Sequence, residues 1–172
     1  MRTLPIIGTA AVLGGTGLIY EFVFATYMAS VFGQAALQFS ITIGTFLLGL
    51  GAGSWVSDFF PRPIRQLAIV QVALTVVAPL GFTLLVASQS QWVGLASVFL
   101  IGALTGTELP VLIRSSATSN QPWVISADHF GMMAAAFAFP LFLLPSLGLV
   151  TPLIGAALLN LFVGVYLLWR PR

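Results

Sequence analysis

Three acidic side chains could carry chemistry because they lie within or beside long apolar stretches of the sequence. Glu21, Glu108 and Asp128 are three of the four acidic residues in the chain. An ionisable group inside a membrane costs on the order of 3 kcal/mol, and such groups typically pair with a cation or pass a proton. Each of the three is therefore a candidate functional residue.

Glu108 and Asp128 are expected to share one polar pocket. Glu108 precedes Arg114 by six residues, which places it about 9 Å inside the arginine-bearing end of its helix. Asp128 and His129 enter the next helix at a depth of about 5 Å. We predict a cytoplasm-facing binding site formed by Glu108, Asp128 and His129, with Arg114 close by. The alternative is a hydrogen-bonded cluster between helices that only fixes their packing.

Glu21 is expected to lie apart from this pocket. It lies about 24 Å along the first apolar stretch, in the half away from the arginines and far from Glu108. One interpretation is a protonated carboxyl that is hydrogen-bonded to a neighbouring helix, and the other is a relay for protons or substrate. Asp58, the fourth acidic residue, follows the second stretch near Arg62 and is typical of a membrane interface.

The elements that must position these side chains are long apolar helices. In a chain of 172 residues, 59% are hydrophobic and 6% are charged, with a mean hydropathy of +1.07. A soluble surface needs about a quarter of its residues charged, so a water-soluble domain is excluded. We predict an all-α fold, a single polytopic bundle of six transmembrane helices embedded in lipid. The predicted spans are 5–32, 37–56, 64–87, 92–113, 125–144 and 149–169.

The arginines predict the topology of this bundle. If the six spans alternate in direction, every arginine falls on one side of the membrane, and positive charge marks the cytoplasmic side. The arginines are Arg2, Arg62, Arg65, Arg114, Arg170 and Arg172. We therefore expect both termini in the cytoplasm. The first apolar run continues to Phe32, so we interpret it as an uncleaved span rather than a signal peptide.

Small residues and prolines are expected to shape the helix contacts. Lipid tails provide no hydrophobic drive for helix association, so helices approach through small side chains. Gly49 and Gly53 in the second span, and Gly102 and Gly106 in the fourth, are therefore predicted contact faces. Gly14, Gly15 and Gly17 in the first span either do the same or loosen the helix near Glu21. Kinks are predicted at Pro110 and Pro140.

Several classes of function have no signal in the sequence. The chain has no cysteine and a single histidine, which excludes disulfides and thiolate sites and leaves no basis for predicting a metal site or a cofactor. Six arginines are too few to indicate nucleic-acid binding. No phosphate-binding loop, catalytic triad or other catalytic motif is recognisable.

Several segments together resemble the membrane domain of the bacterial membrane-bound spermidine synthases. The match is anchored on Glu21, on Glu108 followed by Pro110, and on Asp128 followed by Gly131. The segments are 17–21, 39–49, 53–55, 106–114, 128–131, 139–149 and 160–163. The resemblance implies a multi-span helical domain in a bacterial inner membrane that precedes a cytoplasmic aminopropyltransferase domain.

The chain also departs from that family. It stops at Arg172, about where the resemblance implies that the catalytic domain would begin. Neither the glycine-rich nucleoside-binding loop nor the acidic amine-binding site of that domain can be placed in the sequence. His129 occupies a position where the family typically has tyrosine.

Two hypotheses of function follow. The first is a non-catalytic membrane module that docks or anchors a partner protein, or that assembles with further copies of itself. The alternative is a small carrier or channel for a polyamine, another cation or a proton, using Glu21 or the carboxylates near Glu108. A membrane enzyme is a third interpretation.

Overall fold

The fold is entirely helical over the residues that the structure describes. The computed structural model describes residues 3–59 and 61–169, with side chains from Pro5 onward, and contains no strand in these ranges. The α-helices are α1 (Thr3–Phe32), α2 (Ala35–Ser57), α3 (Pro63–Ser88), α4 (Gln91–Gly106), α5 (Glu108–Ser115), α6 (Gln121–Ala138), α7 (Leu144–Leu147) and α8 (Val150–Trp169). A 3₁₀ turn at Thr118–Asn120 precedes α6, and a turn of π-helix at Phe139–Leu143 joins α6 to α7. The prediction of an all-α fold is confirmed.

Six helical stretches are long and apolar enough to cross a membrane. They are Pro5–Phe32, Ala35–Ser57, Pro63–Ser88, Gln91–Ser115, Thr118–Leu147 and Val150–Trp169. Their ends lie close to those expected from the sequence, except that the fifth begins at Thr118 rather than at 125. The polar run before 125 forms the 3₁₀ turn and the first turn of α6, where Pro122 fits because its missing N–H needs no partner. Arg2, Arg170 and Arg172 lie outside the described residues.

Helix α1 lies at the centre of the bundle. It contacts α2, α4, α5, α6 and α8, and its most extensive contact is with α6. Two further pairs, α2 with α4 and α3 with α8, pack against this centre. Large side chains of α1, such as Leu13 and Phe24, are fully buried. The first helix of the sequence therefore forms the core around which the others are arranged.

The glycines predicted on α2 and α4 meet each other across one interface. Each faces a backbone carbonyl of the other helix: Gly49 faces Phe99, Gly53 faces Ala103, Gly102 faces Phe46, and Gly106 faces Leu50. A Cβ atom at any of the four would overlap with that carbonyl. The two predicted faces are thus the two sides of a single close helix contact, as small residues allow in membranes.

A second close contact joins α1 to α6. Gly131 lies against the backbone of Ala11, and a Cβ on Gly15 would be 3.3 Å from the carbonyl oxygen of Gly131. A Cβ on Gly14 would overlap with the backbone carbonyl of Asp128 and would lie 2.8 Å from its Oδ1. Because these helices approach so closely, the carboxyl of Asp128 is held directly against α1.

The helices are interrupted beside both prolines for which kinks are predicted. Pro110 has no N–H to donate to Gly106, and the helix breaks at Thr107, between α4 and α5. Around Pro140 the backbone forms the π turn, in which the N–H of Leu144 donates to the carbonyl of Phe139, five residues earlier. The first break begins a new helix at Glu108, which places this carboxyl at a helix N-terminus.

Candidate functional site

A cavity of about 230 Å³ lies where α1, α2, α4, α5 and α6 meet, and it is partly open. Gly14, Gly17 and Gly106 are among its lining residues. Its polar lining residues are Ser54, Thr105, Glu108 and Asp128, and the rest of the wall is largely apolar. Two of the three acidic residues singled out from the sequence therefore line the same cavity.

Glu108 is the deepest charged group of this site. It is 4% exposed, and its Oε1 accepts a hydrogen bond of 2.7 Å from Nε2 of Gln71 on α3. Its second oxygen, Oε2, receives no hydrogen bond from the described residues. One side of the carboxyl is thus fixed by the protein, and the other is left for a ligand or water.

Behind Glu108, buried polar groups extend across the bundle toward α8. The Thr75 hydroxyl donates to the carbonyl oxygens of Gln71 (3.0 Å) and Ala157 (3.1 Å), which joins α3 to α8. Asn160 Nδ2 donates to the Tyr20 hydroxyl at 3.1 Å, which joins α8 to α1. Gln71 Oε1 and Asn160 Oδ1 are buried without a hydrogen-bond partner. Glu108 is therefore one end of a polar layer rather than an isolated charge.

The residues of this polar layer were not predicted from the sequence to belong to the site. Gln71 and Thr75 occur singly in an apolar run, and Asn160 stood out only through the family resemblance. The signal that could have identified them is the occurrence of uncharged polar residues in otherwise apolar segments. Such side chains form hydrogen bonds between helices in membranes.

Asp128 and His129 are separated by their places on α6. Asp128 is partly buried and lines the same cavity as Glu108. His129 is exposed, and its Nδ1 lies 2.8 Å from the carbonyl oxygen of Ile125 on its own helix. Because consecutive helical residues point about 100° apart, only one of the two can face the cavity.

Arg114 also lies outside the cavity lining. Its guanidinium forms an ion pair with Asp58 and donates to the backbone oxygen of Ser57 at 2.7 Å. This contact joins the ends of α2 and α5. Arg114 binds Asp58 rather than Glu108, so it does not neutralise the cavity carboxyls.

Glu21 lies one helical turn beyond the cavity. It is 6% exposed and shares a face of α1 with Gly14, Gly17 and Leu18, which line the cavity. Its carboxyl makes no hydrogen bond to the residues that the structure describes. The structural and relay interpretations of Glu21 both remain predictions.

In chemical terms the site is suited to holding a cation. Two carboxyls face an apolar space, and the ranges 3–59 and 61–169 contain no group of three or more histidine, aspartate or glutamate residues that could hold a metal ion. An organic cation with an alkyl chain matches both the charge and the walls of this cavity.

The chain is similar in sequence to curated polyamine aminopropyltransferases. That of Leptospira interrogans is 31% identical over 169 residues, which is 92% of this chain and 34% of the relative. Polyamine aminopropyltransferase 2 of Ralstonia nicotianae is 32% identical over 94% of this chain and 34% of its own length. The enzyme of the same name from Aquifex aeolicus is 30% identical over 86% and 32%.

These matches support a spermidine-synthase-like relationship and the expected connection with polyamines. The chain spans about a third of the length of the curated relatives it matches. No protein-family profile matches the chain. No solved structure matches it either.

The hypothesis of a non-catalytic docking module is corrected by these relatives. Several proteins named as aminopropyltransferases match most of this chain at about 30% identity, which suggests a catalytic, spermidine synthase-like function. The hypothesis rested partly on the lack of a catalytic motif in this sequence, which spans about a third of the length of those relatives.

Proposed function

We propose that this chain serves the transfer of aminopropyl groups to polyamines, as the membrane-embedded helical part of an aminopropyltransferase. The observation that carries the proposal is the similarity to three enzymes with this name over 86–94% of the chain. Because the chain covers about a third of each relative, the proposal assigns the reaction to the whole protein and the membrane part to this chain.

The membrane location is supported by the composition and by the helix lengths. Six helical stretches are long and apolar enough to cross a bilayer. Many large apolar side chains, such as Leu48, Phe142 and Phe162, are more than 60% exposed on the outside of the bundle. A water-soluble protein rarely exposes such a surface, whereas lipid accommodates it. We place the chain in a bacterial inner membrane.

The proposed topology has both termini in the cytoplasm. Arg62 and Arg65 lie at the connection between α2 and α3, and Arg114 lies at the end of α5, on the same side of the bundle if spans alternate. Positive residues favour the cytoplasmic side. The carboxyls of Glu108 and Asp128 would then lie nearer to the cytoplasmic side of the membrane. A polyamine substrate in the cytoplasm would reach the cavity from that side.

Aminopropyl transfer can be tested with the intact protein that the gene encodes. Inside-out membrane vesicles containing it should transfer a labelled aminopropyl group to a diamine acceptor, whereas vesicles from cells with an empty vector should not. Absence of transfer by well-expressed, correctly inserted protein would refute the enzymatic proposal.

The topology can be tested separately by cysteine labelling, because the chain has no cysteine of its own. Ser88 and Ser119 are exposed in successive connections. A membrane-impermeant maleimide should label Ser88→Cys in intact cells whose outer layer is permeable to the reagent. It should label Ser119→Cys only in inside-out vesicles. The reverse pattern would overturn the proposed orientation.

A further inference from the structure

We infer that the cavity between α1, α2, α4, α5 and α6 is a binding site for the ammonium end of a polyamine, with Glu108 as the carboxyl that pairs with the charged nitrogen. The location of this binding site follows from the cavity alone. The choice of a polyamine as the ligand rests on the proposed function.

The charge of the ligand follows from what surrounds Glu108. A carboxylate buried without a counter-ion is strongly unfavourable, and the cost is relieved either by protonation or by pairing with a cation. Among the described residues the ion pair found joins Arg114 to Asp58, and neither Glu108 nor Asp128 forms one. The cavity therefore has two carboxyls and no basic side chain of its own facing them.

The hydrogen-bonding capacity of the cavity matches a primary ammonium group. Such a group has three N–H donors and no acceptor. Two carboxyls line the cavity, those of Glu108 and Asp128, and an ionised carboxyl is purely an acceptor. Oε2 of Glu108 receives no hydrogen bond from the described residues, so it can accept one from a donor that is supplied from outside the chain.

The size and the walls of the cavity indicate an alkyl chain behind that nitrogen. A cavity of about 150 Å³ is known to hold a benzene molecule, so the 230 Å³ available here fits a short alkyl amine. The apolar part of the cavity wall, which would contact methylene groups, includes Leu18, Phe46, Leu50 and Met132. Because the cavity is partly open, the remainder of a longer polyamine can extend out of it.

The test is equilibrium binding of radiolabelled 1,4-diaminobutane to the 172-residue chain purified in detergent. Unmodified protein should show saturable binding at one site per chain. Glu108→Gln keeps an acceptor for Gln71 but removes the charge, and it should weaken binding about tenfold or more. Asp58→Asn, the same kind of change outside the cavity, should bind within about twofold of the unmodified protein.

A second variant covers the case in which Glu108→Gln does not fold. Met132→Phe narrows the cavity while leaving both carboxyls in place, and it should also weaken binding. Competition distinguishes the ligand class: unlabelled 1-aminobutane should displace the label, whereas 1,4-butanediol and Mg²⁺ at equal concentration should not.

Absence of saturable binding, unchanged binding by folded Glu108→Gln and Met132→Phe, or equal displacement by Mg²⁺ would each overturn the inference. This failure is separable from failure of the proposed function. Aminopropyl transfer in vesicles without binding at the cavity would refute this site and leave the enzymatic proposal standing. Binding at the cavity by a protein without transfer activity would do the reverse.

Discussion

Replacement of Gly102 by alanine tests how tightly α2 and α4 are packed. A Cβ built on Gly102 lies 2.5 Å from the carbonyl oxygen of Phe46, whereas ordinary contact begins at 3.4 Å. The two helix backbones must therefore separate locally by about 0.9 Å, and a close-packed interior resists such a shift. No flexible side chain can move aside, because the opposing atom belongs to the backbone.

The expected cost follows from measured overpacking effects. Inserting one carbon into a well-packed interior destabilises a protein by about 1–3 kcal/mol. For a chain of this length, 1 kcal/mol corresponds to about 2–4 °C in the unfolding temperature. Gly102→Ala should therefore lower the thermal midpoint in detergent, followed by far-ultraviolet circular dichroism, by about 2–12 °C.

Gly51→Ala is the matched control for this measurement. Gly51 lies on α2 between the contact residues Gly49 and Gly53, but a Cβ on Gly51 would meet nothing within 4 Å. Alanine is the better helix former by about 1 kcal/mol, so this variant should melt at or slightly above the midpoint of the unmodified protein. If Gly102→Ala melts together with Gly51→Ala, the close contact between α2 and α4 does not exist as described.

Three further predictions concern other contacts of the bundle. Gly131→Ala should destabilise the protein more than Gly51→Ala does in the same melting assay, because its Cβ overlaps with α1 backbone; equal midpoints would contradict the α1–α6 contact. Tyr20→Phe removes the acceptor for Nδ2 of buried Asn160 and should cost about 1–3 kcal/mol, measured as a lower midpoint; an unchanged midpoint would count against that hydrogen bond. Arg114→Gln should cost less than about 1 kcal/mol, because its pair with Asp58 is largely exposed, and a large loss would indicate a role beyond this pair.

Much of the fold was accessible from the sequence because the bilayer imposes simple rules. Apolar runs of about 20 residues must be helical, since unpaired backbone groups are not tolerated in lipid. The proximity of Glu108 and Asp128 followed from counting residues inward from the polar connection between their helices. Their role as a binding site stays a prediction.

The neighbours of each helix could not be derived in the same way. Hydropathy gives the span of a helix but not its partners, so the contact of α3 with α8, and with it the polar layer through Gln71 and Asn160, was missed. The pairing of Arg114 with Asp58 joins residues far apart in the sequence, and no local pattern indicates it. Gly131 gave no packing signal because a single glycine has no periodicity.

The central position of α1 has a consequence for how the bundle assembles. The chain emerges from synthesis with α1 first, yet its most extensive partner, α6, begins at Gln121, and α8 follows at Val150. Contacts between segments so distant in sequence form late and slow the completion of folding. The surface of α1 at Gly14 and Gly15 thus lacks its partner until α6 has been made. If synthesis stops after α4, α1 should contact only α2 and α4 and should lack its contacts with α5, α6 and α8. We expect quality-control proteases to distinguish this incomplete product from the finished bundle.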